Sequence, residues 1–170
     1  MVKRILVAGL ISTVMLLFIL VPFSLAETEP VEVLYVFPFD KGEAPEVVTS
    51  NLFDALIEHL YLYGEKRGMQ VTIVKQELTD TDADWFAGKH YLVGDMAAYS
   101  VDKGCCYTEI KLTGRSQMHL PGGTRKPILE LSDESFFNHD VTAPQQAQIE
   151  LSSRLGKKMA EQLLNQIAAD

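Results

Sequence analysis

Cysteine is almost missing from this sequence. Two occur in 170 residues, and they are neighbours, Cys105 and Cys106 in the stretch DKGCCYTE. No Cys-x-x-Cys spacing exists, which removes thioredoxin-like redox chemistry and the commonest zinc framework. The four histidines, His59, His90, His119 and His139, are scattered with no i, i+4 pair, so no helical face gathers two zinc ligands. A Gly-x-Ser-x-Gly nucleophile turn is absent, and the nearest approach to it, GRSQM, reads as mid-strand. Cations are outnumbered. Lys and Arg total 15 against 23 Asp and Glu, a formal charge of −8 that leaves no electrostatic footprint for nucleic acid or anionic lipid surfaces. Neither an internal repeat nor a low-complexity tract occurs.

One long apolar run is present, and it stands at the start. MVKR is a short basic opening, ILVAGLISTVMLLFILV follows without a charge, and PFSLAETEP supplies a helix breaker and the small residues Ser24 and Ala26. This is the layout of a secretory signal peptide over residues 1–26, cleaved between Ala26 and Glu27. The competing reading is an uncleaved anchor, because the run approaches the roughly 20 residues that span a bilayer. No cysteine follows the segment, so a lipoprotein anchor has no attachment point. The expected location is the periplasm or the cell exterior, with no stable membrane span after cleavage. Cleavage removes Lys3 and Arg4 and no acid, which takes the formal charge from −8 to −10. Residues 27–170 are a fitting length for one domain with one core.

Along that domain, VEVLYVFPF (31–39) is rich in β-branched and aromatic residues and predicts a strand buried on both faces, ending at Pro38. From Pro45 to about Lys66, Val48, Leu52, Leu56, Leu60 and Tyr63 recur at helical spacing, with Phe53, Ile57 and Tyr61 widening the stripe. Gly64 and Gly68 weaken and then stop that helix. MQVTIVKQ (69–76) predicts a second strand. A short helix follows, capped by Thr81 or Asp82 and ended by Gly88. Three strands then form an antiparallel meander, over 90–101, 106–120 and 126–137, with turns at DKGC and PGGT. A long helix starts near Pro144, with Ala147, Leu151, Leu155, Met159, Leu163 and Ile167 as its apolar stripe. Gly156 lies inside it, about 1 kcal/mol less favourable there than alanine. The predicted class is α+β with an α/β-like start: one mixed sheet of about five strands, two long helices and one short helix, in the order β-α-β-α-β-β-β-α.

Three short motifs sharpen this. VFPF (36–39) closes the first strand, GMQV (68–71) enters the second, and HYLVGDM (90–96) opens the meander. In that order the chain resembles the amino-terminal domain of the TolB protein and the related CsgG-type and LpoB-type domains of bacterial envelope assembly. The resemblance implies an interaction role in the periplasm and carries no catalytic site with it.

The candidate sites are few. Adjacent α-carbons lie about 3.8 Å apart, whereas an unstrained disulfide prefers about 4.4–6.8 Å. A ring between Cys105 and Cys106 therefore needs a distorted peptide, and strained bridges are the labile ones. Alternation along a strand offers another reading, with Cys106 on the apolar face beside Thr108, Ile110, Leu112 and Met118, and Cys105 exposed. An exposed thiol in an oxidising compartment suits an intermolecular disulfide through Cys105, to a partner or to a second copy in a homodimer, whereas in a reducing or anaerobic setting both are unremarkable free thiols. His139 beside Asp140 and the alternating acids of DTDAD (80–84) are weak metal candidates that lack the rest of a ligand set. PGGT lies between strands, where a turn explains it better than an anion cradle. Asp133 and Glu134 alternate across a strand, so they cannot act together as acid and base. VTIVKQ or PILELS, if at a sheet edge, would offer backbone groups for strand addition. Tyr61, Tyr63, Trp85 and Phe86 belong either to the packing or to an exposed patch.

The expectation is a non-enzymatic exported protein that binds an envelope protein, with no cofactor, metal or nucleic acid. The alternative is a periplasmic small-ligand binder, which requires a sizeable, mainly apolar pocket.

Overall fold

The structure, a computed structural model, describes residues 32–138 and 140–168. The apolar leader with its Ala26–Glu27 cleavage site, and His139, lie outside the described residues. Strand β1 (Val33–Val36) leads into helix α1 (Glu46–Gly64), which returns to β2 (Gln70–Ile73). The short helix α2 (Ala83–Phe86) precedes β3 (His90–Lys103), β4 (Tyr107–His119) and β5 (Leu129–Asn138), and α3 (Pro144–Ala168) follows. One sheet holds all five strands in the order β2-β1-β3-β4-β5. β1 is parallel to both neighbours and the meander is antiparallel. The expected class and element order are those observed.

Both long helices lie on one sheet face. Leu34 and Val36 of β1, Leu92 of β3, Ile110, Leu112 and Met118 of β4 and Phe137 of β5 point there, each at most 9% exposed. Alternation along each strand puts them on one side. Each such side chain contributes about 1.5–3 kcal/mol by leaving water. A register shift between Met96 and Ala98 interrupts β3. It turns Tyr99 towards the helices, where the Tyr99 hydroxyl accepts a hydrogen bond from Gln148 Nε2 at 2.6 Å. Such a bulge re-aims every later residue of the strand.

On α1, Val48, Leu52, Leu56, Leu60 and Ile57 are buried as expected, but Tyr61 and Tyr63 are 45% and 43% exposed. The stripe leaves the sheet at the helix's last turn, where a 3-10 turn (Glu65–Arg67) ends on Gly68 at φ +74°. Pro45 immediately precedes the helix instead of starting it. β1 is shorter than the apolar run that predicts it, although Phe37 N–H still donates to Leu92 carbonyl at 3.0 Å. The other sheet face is covered over β1 by α2. Trp85 packs edge-on against Tyr35 and Phe37, at centroid distances of 5.0 and 5.7 Å. Trp85 and Phe86 thus belong to the packing. Asp82 precedes α2 but makes no side-chain cap, which departs from the expected start signal.

Gly156 is the place where α3 meets α1. A Cβ there would stand 2.3 Å from Leu52 carbonyl oxygen and 3.1 Å from Leu56 nitrogen. The apparent weak point of the sequence is a close helix crossing, and the opposing atoms are backbone that cannot rotate away. We predict that Gly156→Ala destabilises the fold by about 1–2 kcal/mol, because overpacking outweighs the gain of about 1 kcal/mol in helix propensity. Urea denaturation checks this; an unchanged or raised midpoint would show that the helices separate at no cost.

Asp133 of β5 ties the sheet to α3. Its carboxylate accepts hydrogen bonds from Arg154 Nε at 2.7 Å and Lys158 Nζ at 2.9 Å, and Arg154 Nη2 also donates to Glu134 carbonyl at 2.8 Å. Burial alone would raise the Asp133 pKa, but the hydrogen bonds from Arg154 and Lys158 together outweigh it and hold it at about 2. A folded-state pKa below the unfolded value stabilises at neutral pH and loses that contribution as pH falls from about 4 towards about 2. Because both cations are half exposed, screening reduces the effect to about 1–2 kcal/mol. Asp133→Asn is predicted to lose stability at pH 7 and to match the parent near pH 2, as read by denaturant midpoints at the two pH values.

Candidate functional site

β1 and β2 are parallel, and the chain leaves their carboxyl ends in opposite directions. From β1 it passes to α1 on one face; from β2 it passes to α2 on the other. Such a divergence opens a crevice at the strand ends, where open sheets with parallel strands bind ligands. A cleft of about 750 Å³ lies there, between the β1–α1 loop, the first turns of α1, residues 77–79 and β3. Its volume falls within the range of small-molecule sites.

Two of the motifs singled out in the sequence meet at this cleft. Asp40 N–H donates to Gly94 carbonyl at 3.0 Å, and Met96 N–H donates to Asp40 carbonyl at 2.9 Å. The Phe39 ring lies on Gly94, where a Cβ would stand 2.3 Å from its Cζ. Phe39 also packs against Phe53 of α1, centroids 5.8 Å apart. VFPF and YLVG therefore build one aromatic wall, with glycine required on β3 for the ring to approach. Pro38, Leu78 and Val93 extend the apolar lining.

The polar groups there are uneven. Asp40, Glu46 and Glu77 line the cleft together with one cation, Lys41. Thr49 is 7% exposed, and its Oγ1 has no hydrogen-bond partner among the described residues. The neighbouring Ser50 hydroxyl bonds back to Glu46 and Val47 carbonyls at 2.9 and 3.3 Å, the ordinary satisfaction of a helical hydroxyl. Sequence reasoning missed Thr49, because a threonine between Val48 and Ser50 in a helical stripe carries no distinguishing signal.

At the opposite edge of the sheet, β5 pairs with β4 alone among the described residues, which leaves its outer side an open edge ten residues long. The other edge, β2, is four residues. VTIVKQ and PILELS thus both contribute to edges. Beside the β5 edge, Phe136 is 69% exposed and stacks on Tyr107, centroids 5.0 Å apart and planes 13° apart. Tyr61 and Tyr63 lie elsewhere, and no single patch joins them to Trp85 and Phe86.

Cys105 and Cys106 sit at the tip of the β3–β4 hairpin. Lys103 pairs with Thr108, and Gly104 N–H donates to Tyr107 carbonyl at 2.8 Å, which leaves the two cysteines as the turn. Both are exposed free thiols. Placing Cys106 on the buried face is therefore wrong: β4 begins one residue later, at Tyr107, and the apolar face begins with Thr108, 1% exposed. We predict that both thiols of the folded monomer react with an alkylating reagent as fast as a free thiol in an unfolded peptide. Protection of either one, lifted by reductant, would mean a bridge.

The remaining candidates separate. His119 stacks on Tyr91 at 4.4 Å, and burial, then Arg125, lowers its pKa. His59, mostly buried, lies 3.5 Å from the exposed carboxylate of Glu161 between the two long helices. Pro121–Gly123 forms a turn between β4 and β5. Among the described residues, no three potential metal ligands converge.

An open mixed sheet with two long helices on one face and a short helix on the other defines the fold class. Similar solved structures exist at low identity. A candidate lipoprotein from Caulobacter crescentus matches 81% of this chain and 92% of its own, at 11% identity and TM-score 0.50. A hypothetical protein from Chlamydia trachomatis matches 81% and 98%, at 7% identity and TM-score 0.55. A candidate neuraminyllactose-binding hemagglutinin homologue from Helicobacter pylori matches 79% and 83%, at 11% identity and TM-score 0.51. At such identities the likeness speaks for the fold. No protein-family model matches the sequence, and no curated protein is similar to it.

Proposed function

We propose that the protein is exported and acts without catalysis, by binding another envelope protein along the β5 edge. The ten-residue open edge carries this reading. An extended segment laid there gains backbone hydrogen bonds, and the Phe136–Tyr107 stack offers a large rigid surface to its side chains. Residues 1–26, read as a signal peptide cleaved after Ala26, support export to the periplasm or beyond. The resemblance to TolB amino-terminal, CsgG-type and LpoB-type domains supports an envelope role, and kinship to TolB in particular is part of the proposal. We propose further that Cys105, an exposed thiol at the hairpin tip, locks such a complex, or a homodimer, through an intermolecular disulfide.

A photoreactive phenylalanine analogue at position 136 is expected to crosslink one reproducible envelope protein in living cells. Phe136→Glu is expected to abolish association with that protein while shifting folding stability by less than about 0.5 kcal/mol, since the side chain is exposed. The same probe at Lys157, on the outer side of α3, serves as control. Equal adducts at both positions, or none at 136, would sink the reading. The cleft beside Phe39 favours a second activity, binding of a small ligand.

A further inference from the structure

We infer that the cleft at the carboxyl ends of β1 and β2 binds a small amphiphilic amine, with a flat apolar body and one protonated nitrogen. The inference rests on the small-ligand reading of the cleft and is independent of docking at β5. Three observations fit together. The wall is aromatic: Phe39, held flat by Gly94, and Phe53 present ring surface to a flat body. The charge is one-sided: three carboxylates, Asp40, Glu46 and Glu77, line the cleft with one lysine, Lys41. Asp40 already spends Oδ1 on Gly42 N–H at 3.1 Å, so Glu46 and Glu77 are the acids with most capacity for a cation. The third observation is Thr49, a residue of the cleft lining whose Oγ1 is buried and has no hydrogen-bond partner among the described residues. A buried hydroxyl without a partner costs about 1–3 kcal/mol, and a ligand N–H donating to it recovers that loss.

An anion is the competing occupant, since the amino-terminal turn of α1 borders the cleft and has no side-chain cap. The positive end of a helix favours negative charge. Here, though, Glu46 stands in that first turn and supplies the negative charge itself. A second anion would meet it along with Glu77 and Asp40. Aromatic surface, surplus acid and an unmet hydroxyl together favour the amine.

Three indoles of matched body and different charge decide the question: tryptamine, indole-3-acetate and tryptophol. Each is titrated into isotope-labelled protein produced from the full-length chain, at low salt, with amide chemical shifts as readout. Tryptamine is expected to move the amides of Lys41, Thr49 and Leu78 and to bind about tenfold more tightly than indole-3-acetate, with tryptophol between them. Thr49→Val, which keeps the volume, is expected to weaken tryptamine about fivefold by removing the hydroxyl. Glu77→Gln, at an exposed position, is expected to weaken it about two- to threefold and to reduce its salt dependence. Tighter binding of indole-3-acetate would overturn the amine assignment in favour of the helix terminus. Shifts confined to other residues, no shift up to about 5 mM, or affinities unchanged in both variants would overturn the site itself. None of these results depends on whether position 136 crosslinks a partner.

Discussion

Two long helices share one face of the sheet, and their backbones come close enough to do so because residue 156 has no side chain. The carbonyl of Leu52 and the nitrogen of Leu56 stand where a Cβ at Gly156 would be. With the helices in contact, Leu52 and Leu56 of α1 and Leu151, Leu155 and Met159 of α3 reach the same apolar strand face and are all fully buried. Separated helices would leave an uncovered stripe of sheet between them. Arg67, donating to the Leu164 carbonyl, fastens the far ends of the pair, and Asp133 fastens α3 to the edge strand. The energetics are thus arranged outward from one crossing: apolar burial supplies the driving force, and two partly exposed polar ties fix orientation.

Occupying one face with both long helices has consequences for the other. The meander's outer face is mostly polar and faces water, as an antiparallel sheet permits. The short helix covers β1, parallel on both sides, and the start of β3 there, Trp85 lying on Tyr35 and Phe86 on Tyr91. The chain must then leave β1 and β2 towards opposite faces, and that divergence opens the cleft. The open β5 edge has a similar origin, since α3 crosses from β5 back onto the sheet face and does not run along its rim. Both candidate sites are products of the layer arrangement.

The two sites differ in how they would recognise a partner. Along β5, affinity would come from backbone groups, with Phe136 and Tyr107 adding selectivity. In the cleft it would come from ring contact and surplus negative charge. The cysteines stand apart from the cleft, at a turn that projects into solvent beside Tyr107.

Much of the fold is readable in the order of residues, for local physical reasons. Alternation marks the strands, the 3.6 period marks α1 and α3, and Gly68 ends its helix because a left-handed residue is needed there. The acidic charge, the apolar leader and the cysteine count likewise bound the function classes without any fold. Where local pattern and packing part company, the sequence reads wrongly. Tyr63 keeps the helical period, yet α1 has already left the sheet. Cys106 keeps the alternation, yet it lies in the turn, because pairing with β3 starts the strand one residue later. Gly156 resembles a propensity defect until α1 is laid against it. The register shift at Ala97 and the meeting of Phe39 with Gly94 join residues far apart in the chain, and the burial of the Thr49 hydroxyl follows from such packing. Local sequence determines which segments are helices and strands and which faces are apolar. Only tertiary structure decides which backbone approaches which, because those contacts depend on distances that no local period encodes.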